Sequence, residues 1–441
     1  MNKKTENKAV SPWQWVPSLY FAQGIPYVVV MSVAVILFKR MGMSNTDIAL
    51  YTSGLNLPWV IKPLWSPLVD LLKTKRWWIV VMQILVGAGL AGIALTIQGP
   101  LAFRYCRAFM WLLAFSSATH DIAADGFYML GLNEKKQAYF VGIRNTFYRF
   151  AVIFGQGILV MFAGWLEQRY AREMPETAAI PQAWSLTFYL LTILFALLFV
   201  YHYLFLPHPR RDTCTLPPQQ ASAGRVFKEF LGTFTSFFQK KHIVSALIFI
   251  LLYRFAEAQL VKITSPFLLD TPATGGLALS TAEVGFIYGT IGVIALTIGG
   301  IVGGIAMARR GLKSCLWTMT IAMNLPNIVY LYLSFARPES IGIISGCVAI
   351  EQFGYGFGFT SLTYFMMLFS NGKHQTAHYA ICTGFMALGL MLPGMISGWI
   401  EESIGYRAFF VWIMLCTIPS FWATHLVRKN LTDNHSDNSS R

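Results

Sequence analysis

Asp121 and Asp125 stand four residues apart in FSSATHDIAADGFYMLGL, an otherwise apolar run from Phe115 to Leu132. A charge held in hydrocarbon costs at least roughly 2.5–3.5 kcal/mol, so an acid within a membrane span faces a partner or a water-filled path. Their spacing puts both carboxylates on one helical face. Such a pair can exchange protons or hold cations. His120, with an unperturbed pKa of about 6.5, is suited to relaying protons to them. It sits about 100° round the helix from Asp121, which suits an interhelical hydrogen bond equally well.

The other charges inside apolar runs are Lys62, Arg144, Arg149, Arg254, Glu257 and Glu351. Together with the two aspartates they cancel, which predicts internal pairing. The short turn NEKKQ makes the spans on either side of it antiparallel neighbours, so Asp121 and Asp125 are expected to face Arg144 and Arg149. Arg144 and Tyr148 share a face at i, i+4. Two readings stay open. In one, a carboxylate exchanges a proton while an arginine alternates between it and an anionic substrate. In the other, a permanent salt bridge lets two helices pack. Arg254 and Glu257, three apart in LLYRFAEAQLVKITSPFLLD, either neutralise each other or add to a site from the second half. Glu351 opens EQFGYGFGFTSLTYF, whose aromatics would stack on a sugar ring or simply pack.

The elements that position these residues are membrane helices. With 55% hydrophobic and 12% charged residues among 441, and a mean hydropathy of +0.52, the chain reads as an all-α polytopic membrane protein. Twelve apolar spans are expected: 13–38, 47–69, 77–97, 104–131, 138–165, 183–206, 242–268, 281–306, 313–334, 340–370, 376–400 and 406–427. They form a six-helix bundle over 1–206 and another over 242–427, with a linker at 207–241 and a tail at 428–441. The linker carries an amphipathic piece, RVFKEFLGTFTSFFQK, expected to lie on the membrane surface. The net charge of +14 falls mainly in alternate loops, where it reports topology and not nucleic-acid binding. Positive-inside places both termini and the linker in the cytoplasm, with Lys262 counted among the opposite loops. Proline and overlapping small-residue pairs, Gly299/Gly303 and Gly300/Gly304, permit bends and close helix approach.

The two halves echo each other. The fifth span ends in AGWLEQ and the eleventh in SGWIEE, and six-plus-six duplication points to the major facilitator architecture, with a substrate site near the midplane. Six isolated cysteines and the His spacings offer no metal site, and no Walker, H-E-x-x-H, G-x-S-x-G or flavin motif suggests an enzyme or a cofactor. A membrane-embedded transferase or hydrolase built on His120 and Asp121 would need a nucleophile or metal ligands on adjacent helices, and none is evident. The N-terminal lysines precede an apolar stretch too long for a signal peptide, so an uncleaved first helix is expected.

GIPY at 24–27, LPWVIKPLWSPLVD at 57–70, HDIAADGF at 120–127, LYRFAEAQLVKITSPFL at 252–268, STAEVGFIYGTIG at 280–292 and the stretch from Glu351 to Trp399 resemble the AmpG-type anhydromuropeptide permeases. These belong with the acetyl-CoA transporters in one branch of the major facilitator superfamily. The resemblance implies proton-coupled import of an anionic sugar-peptide across a bacterial inner membrane. It also implies that the family's D-I-A-x-D aspartates are Asp121 and Asp125, its second-helix lysine is Lys62, and its acids on the seventh and tenth helices are Glu257 and Glu351. Arg144, Arg149, Lys62, Arg254, Glu257, Glu351 and neighbouring Tyr148 would then form the cargo site. Acetyl-CoA or a siderophore would suit the same cations. Asp70, with Lys73 and Arg76, resembles the superfamily's G-x-L-x-D-R-x-G-R-R gating loop, although Pro67 lies near where a glycine is expected. His120 stands where the AmpG pattern has an amide.

Overall fold

A computed structural model describes residues 11–209, 212, 232, 234–371 and 375–439, and no described residue lies in a strand. Twelve helical rods follow one another: α1 (Pro12–Arg40), α2 (45–72), α3 (Lys75–Thr96), α4 (Ala102–Gly131), α5 (134–170), α6 (Glu176–Phe205), α7 (Ile243–Leu269), α8 (281–310), α9 (312–336), α10 (Ile341–Ser370), α11 (375–404) and α12 (406–439). The last two pairs of the C-terminal half that run on continuously are turned by glycines. Gly311 (φ 71°) separates α8 from α9 and Gly405 (φ 76°) separates α11 from α12, in backbone conformations that cost a side chain roughly 1–2 kcal/mol. Half of the surface helix expected over 225–240 lies outside the described residues, and 234–238 is helical.

Local sequence explains where rods begin. Ser11 and Gln14 form a capping box ahead of Pro12, Ser44 and Thr74 accept from Asp47 and Trp77 amides, and Ser280 with Glu283 caps α8. Several rods are interrupted inside the membrane. π turns occur at Val29–Val33 of α1, Ile153–Ile158 of α5 and Gly285–Gly292 of α8, while α7 breaks at Tyr253 and Arg254. Such irregular backbone is tolerated at membrane depth only where protein or a cavity surrounds it.

The rods form two halves, α1–α6 and α7–α12. We refer to the end that holds residue 11 and the α6–α7 connection as the linker end, and to its opposite as the far end. The apolar core divides unevenly between them. At the far end one continuous cluster joins both halves, including Val30, Leu55 and Trp184 from the first and Phe267, Tyr406 and Ile413 from the second. Toward the linker end there are two clusters, one per half: Trp15, Leu19 and Phe127 in the first, Phe249, Leu316 and Phe365 in the second. Outward-facing side chains such as Leu197, Trp399 and Leu95 are more than 60% exposed, as lipid contact requires.

Close backbone approach holds the far end together. A Cβ on Gly289 of α8 would lie 2.0 Å from the Gln156 carbonyl oxygen of α5, and one on Gly398 of α11 would lie 1.9 Å from that of Asn45 on α2. The Gly299/Gly303 pair packs on Phe353 and Phe357 of α10, whereas Gly304 meets open space, so only one of the two expected glycine pairs is used. Gly289→Ala is expected to lower stability by about 1–3 kcal/mol, because a carbonyl cannot yield as a flexible side chain does. Thermal unfolding in detergent would show it as a drop of several degrees. An unchanged midpoint would mean that α5 and α8 are not in this contact.

Candidate translocation site

The paired aspartates stand on the stretch of α4 facing α1, α2 and α5, and each has partners of its own. Asp121 Oδ2 accepts from Trp59 Nε1 at 3.1 Å and lies 3.7 Å from Lys62 Nζ, both on α2. Asp125 Oδ1 accepts from Tyr20 OH at 3.1 Å and lies 3.4 Å from the Arg144 guanidinium of α5. Arg144 is stacked between rings, 4.6 Å from the Tyr20 centroid and 5.2 Å from that of Tyr128. The Asp125 side chain is 40% exposed and those of Lys62 and Arg144 27%, in the middle of membrane helices.

This corrects the expected pairing in one respect. Arg144 meets Asp125 as expected, but Asp121 turns to Lys62, and Arg149 forms no ion pair among the described residues. Arg149 lies within electrostatic reach of Tyr27, Tyr148 and Tyr355 instead, about 100° round α5 from Tyr148. Tyr148 is half-buried beside Tyr27, whose ring packs edge-on against Trp59 at 5.3 Å. These aromatics and cations line the N-terminal side of the central space.

On the opposite side the α7 break presents Arg254. Its guanidinium donates to Tyr355 OH and lies 5.1 Å and 4.9 Å from the Tyr355 and Phe359 rings of α10. Arg254 and Glu257 form no ion pair among the described residues, so of the two readings left open for them the direct local pairing is absent: the break puts Arg254 at the cap of the second segment and turns it to α10. Glu257 and Glu351 are buried, and Glu351 Oε2 accepts from Tyr330 OH at 3.1 Å and Gln352 Nε2 at 2.9 Å. Lys262, expected in a loop, is 2% exposed within α7. The expected span over 242–268 already contained it, and α7 runs through Pro266 to Leu269, so the error lay in counting Lys262 as a loop charge.

His120 points away from the aspartates into the first half. Its Nε2 meets Gln83 Nε2 at 3.1 Å, Gln83 meets His202 Nδ1 at 2.9 Å, and His202 Nε2 meets Ser18 Oγ at 3.0 Å. This buried chain crosses α4, α3, α6 and α1. Of the gating trio, Lys73 is exposed at the end of α2, and the side chain of Asp70 lies outside the described residues. Arg76 donates to the backbone carbonyls of Tyr203 and Leu206, and the acid that closes this turn is Asp212, accepting from the Lys75 and Arg76 amides at 2.7 and 3.1 Å. Where the linker rejoins the second half, Lys240 Nζ donates to the Phe369 and Asn371 carbonyls at 2.6 and 2.9 Å, and its partial burial pushes the ammonium below the usual lysine range.

Sequence reasoning missed a second charged constellation at the far end. Asp270 at the end of α7 accepts from Lys39 Nζ at 2.7 Å and from Tyr406 OH at 2.6 Å. Lys39 also donates to Asn45 Oδ1, whose Nδ2 donates to Glu401 at 2.6 Å, while the Thr46 amide donates to Glu402. Between α1, α5 and α8, Glu167 accepts from Arg40 at 3.0 Å, Thr281 at 2.7 Å and Trp184 at 2.7 Å. Of these, Lys39–Asp270, Asn45–Glu401, Thr46–Glu402 and Thr281–Glu167 join the two halves. Their signal was the echo AGWLEQ and SGWIEE, which supplies Glu167, Glu401 and Glu402.

Two six-helix halves, clasped at one end around a charged and partly wetted interior, define a membrane transporter and not an enzyme. Residues 18–375 match the Major Facilitator Superfamily, and the chain belongs to it. Its relatives there are AmpG-type proteins. It is 25% identical over 415 residues to the putative transporter AmpG 4 of Rickettsia conorii (strain ATCC VR-613 / Malish 7), covering 92% of this chain and 93% of that one. It is 24% identical over 420 residues to the anhydromuropeptide permease of Escherichia coli K12, covering 94% of this chain and 79% of that protein. Among solved structures, a D-xylose-proton symporter superposes with a TM-score of 0.69 at 13% identity, covering 94% of this chain and 96% of the other. The nucleoside transporter NupG superposes with a TM-score of 0.68 at 14% identity, covering 94% and 98%.

Proposed function

We propose that this transporter imports anhydromuropeptides across the bacterial inner membrane together with protons, by alternating access. The observation that carries the reading is the pair of separate acid–base contacts, Asp121 with Lys62 and Asp125 with Arg144, with side chains 14–40% exposed. An anionic group entering the central space competes with Asp125 for Arg144. A carboxylate that loses its cation in a low-dielectric site gains a proton, so cargo and proton bind together. Arg149, Arg254 and Lys62 add cations for the peptide carboxylates, and Tyr148, Trp59 and Tyr355 offer ring faces to the sugars. The relatives' names support the cargo. With the termini and linker in the cytoplasm, the clasped far end faces the periplasm and this conformation is open inward. Asp70, Lys73 and Arg76 belong to a turn that moves with the first half.

Proteoliposomes given labelled anhydromuropeptide and an imposed pH gradient test both claims. Accumulation above equilibrium that collapses with a protonophore is expected. Uptake indifferent to the gradient would sink the coupling. Stronger competition by acetyl-CoA or a siderophore than by unlabelled muropeptide would reassign the cargo.

A further inference from the structure

The second half contains two buried acids that the contacts described so far leave without a counter-charge. Glu257 is 3% exposed and Glu351 1%, and no cation lies within ion-pairing distance of either among the described residues. Glu351 Oε2 has its two donors, Tyr330 of α9 and Gln352. Glu351 Oε1 and Glu257 Oε2 have none among the described residues. The two carboxyl groups are close enough for their charges to interact. The ionisable groups around them are Tyr330 on α9, Tyr288 on α8, Tyr355 on α10 and Arg254 on α7. Arg254 acts on Glu257 at longer range while it donates to Tyr355 and lies over the Phe359 ring.

Two ionised carboxylates cannot share such a place. Each unpaired buried charge costs several kcal/mol, and placing two side by side adds repulsion. A proton resolves both problems, since a carboxylic acid is neutral and turns one orphan oxygen into a donor. By contrast, Asp121 and Asp125 each have a cation and a ring donor within reach. We infer that Glu257 and Glu351 form a proton-binding site of the transporter separate from the aspartates, occupied by at least one proton in the far-end-closed conformation. The O–H bond of one carboxyl breaks, its proton passes to water, and the resulting carboxylate takes Arg254 as its counter-charge. Arg254 can reach Glu257 only by leaving Tyr355, so movement of α7 against α10 would link proton release to the change of conformation. This deepens the proton-coupled reading and rests on it for the transport role alone; occupancy of the site stands apart from any cargo.

Infrared difference spectra of the full chain in lipid nanodiscs, recorded across a pH titration, count protonated carboxyls without any substrate. The wild type is expected to show a protonated carboxyl band at neutral pH. Glu351→Gln and Glu257→Gln should each diminish or shift it, and Asp121→Asn with Asp125→Asn should leave it in place. Glutamine matches the neutral acid in shape, so both glutamate variants should melt within a few degrees of wild type; Glu351→Asp serves as a second variant that keeps the proton but moves it. Absence of the band in wild type, or its survival in both glutamine variants, would overturn the assignment. In proteoliposomes, Glu351→Gln should lose gradient-driven accumulation. If the wild type fails to take up muropeptide while the band behaves as expected, the cargo is wrong and the proton site stands.

Discussion

Arg144→Gln should reduce the initial uptake rate by at least about 100-fold, equivalent to about 2.7 kcal/mol of lost stabilisation along the transport cycle. Three separate roles converge on this guanidinium. It balances Asp125 at 3.4 Å, it fills the slot between the Tyr20 and Tyr128 rings, and it is open enough to water for an anion to reach it. Glutamine keeps some packing and loses all three. Lysine keeps the charge but not the planar fork, so Arg144→Lys should fall between wild type and Arg144→Gln. A static salt bridge would behave differently. If the pair served packing alone, the double variant Asp125→Asn with Arg144→Gln would restore both thermal stability and uptake, because a neutral pair leaves no unpaired charge. We expect it to restore stability without uptake. Recovery of uptake in the double variant would reduce the pair to a structural element.

The second large effect is expected at the far end. Asp270 receives Lys39 and Tyr406, and charge-assisted hydrogen bonds of this kind are worth about 1.5–3 kcal/mol each. Asp270→Asn removes the charge while keeping the shape, and a loss of that size moves an equilibrium between closed and open far ends by roughly 10-fold or more. Ser53 gives a direct reporter, since it is buried between the halves, with its Oγ 2.6 Å from where a Cβ on Gly394 would lie. With Ser53→Cys as the only cysteine, an impermeant thiol reagent added from the far side should react at least about 10-fold faster in the Asp270→Asn background. Equal rates would show that glycine packing closes this end without help from the charges.

The fold was readable because membrane helices declare themselves by length and hydropathy, and because the six-plus-six echo is written in short repeated phrases. The charged residues at the site were readable as a set, since each is an expensive anomaly in hydrocarbon. Their partners were harder. Helical phase placed Asp121 and Asp125 on one face, yet that face spans two neighbours, α2 and α5, and only the packing decided that Lys62 takes one acid and Arg144 the other. The same limit hid Lys262, whose position near the end of a hydropathy window made it look external. The far-end clasp escaped notice because Lys39, Asp270 and the pair Glu401 and Tyr406 come from three distant stretches, each ordinary for a helix end.

The π turns carry a consequence for chain length. A π turn holds one residue more than the α turn it replaces, and the helix on either side keeps its phase because the bulge absorbs the excess. In α5 the bulge lies between Arg144 and Glu167, so the face that meets Asp125 and the face that meets Arg40 are set independently of the residue added between them. Loss of one residue within Ile153–Ile158 would return that stretch to α geometry with both ends still aimed correctly. Loss of one residue from the plain α turns beside it would swing everything beyond by about 100° and uncouple the two ends of the helix. The bulges thus mark the places where these helices can change length without changing what they point at.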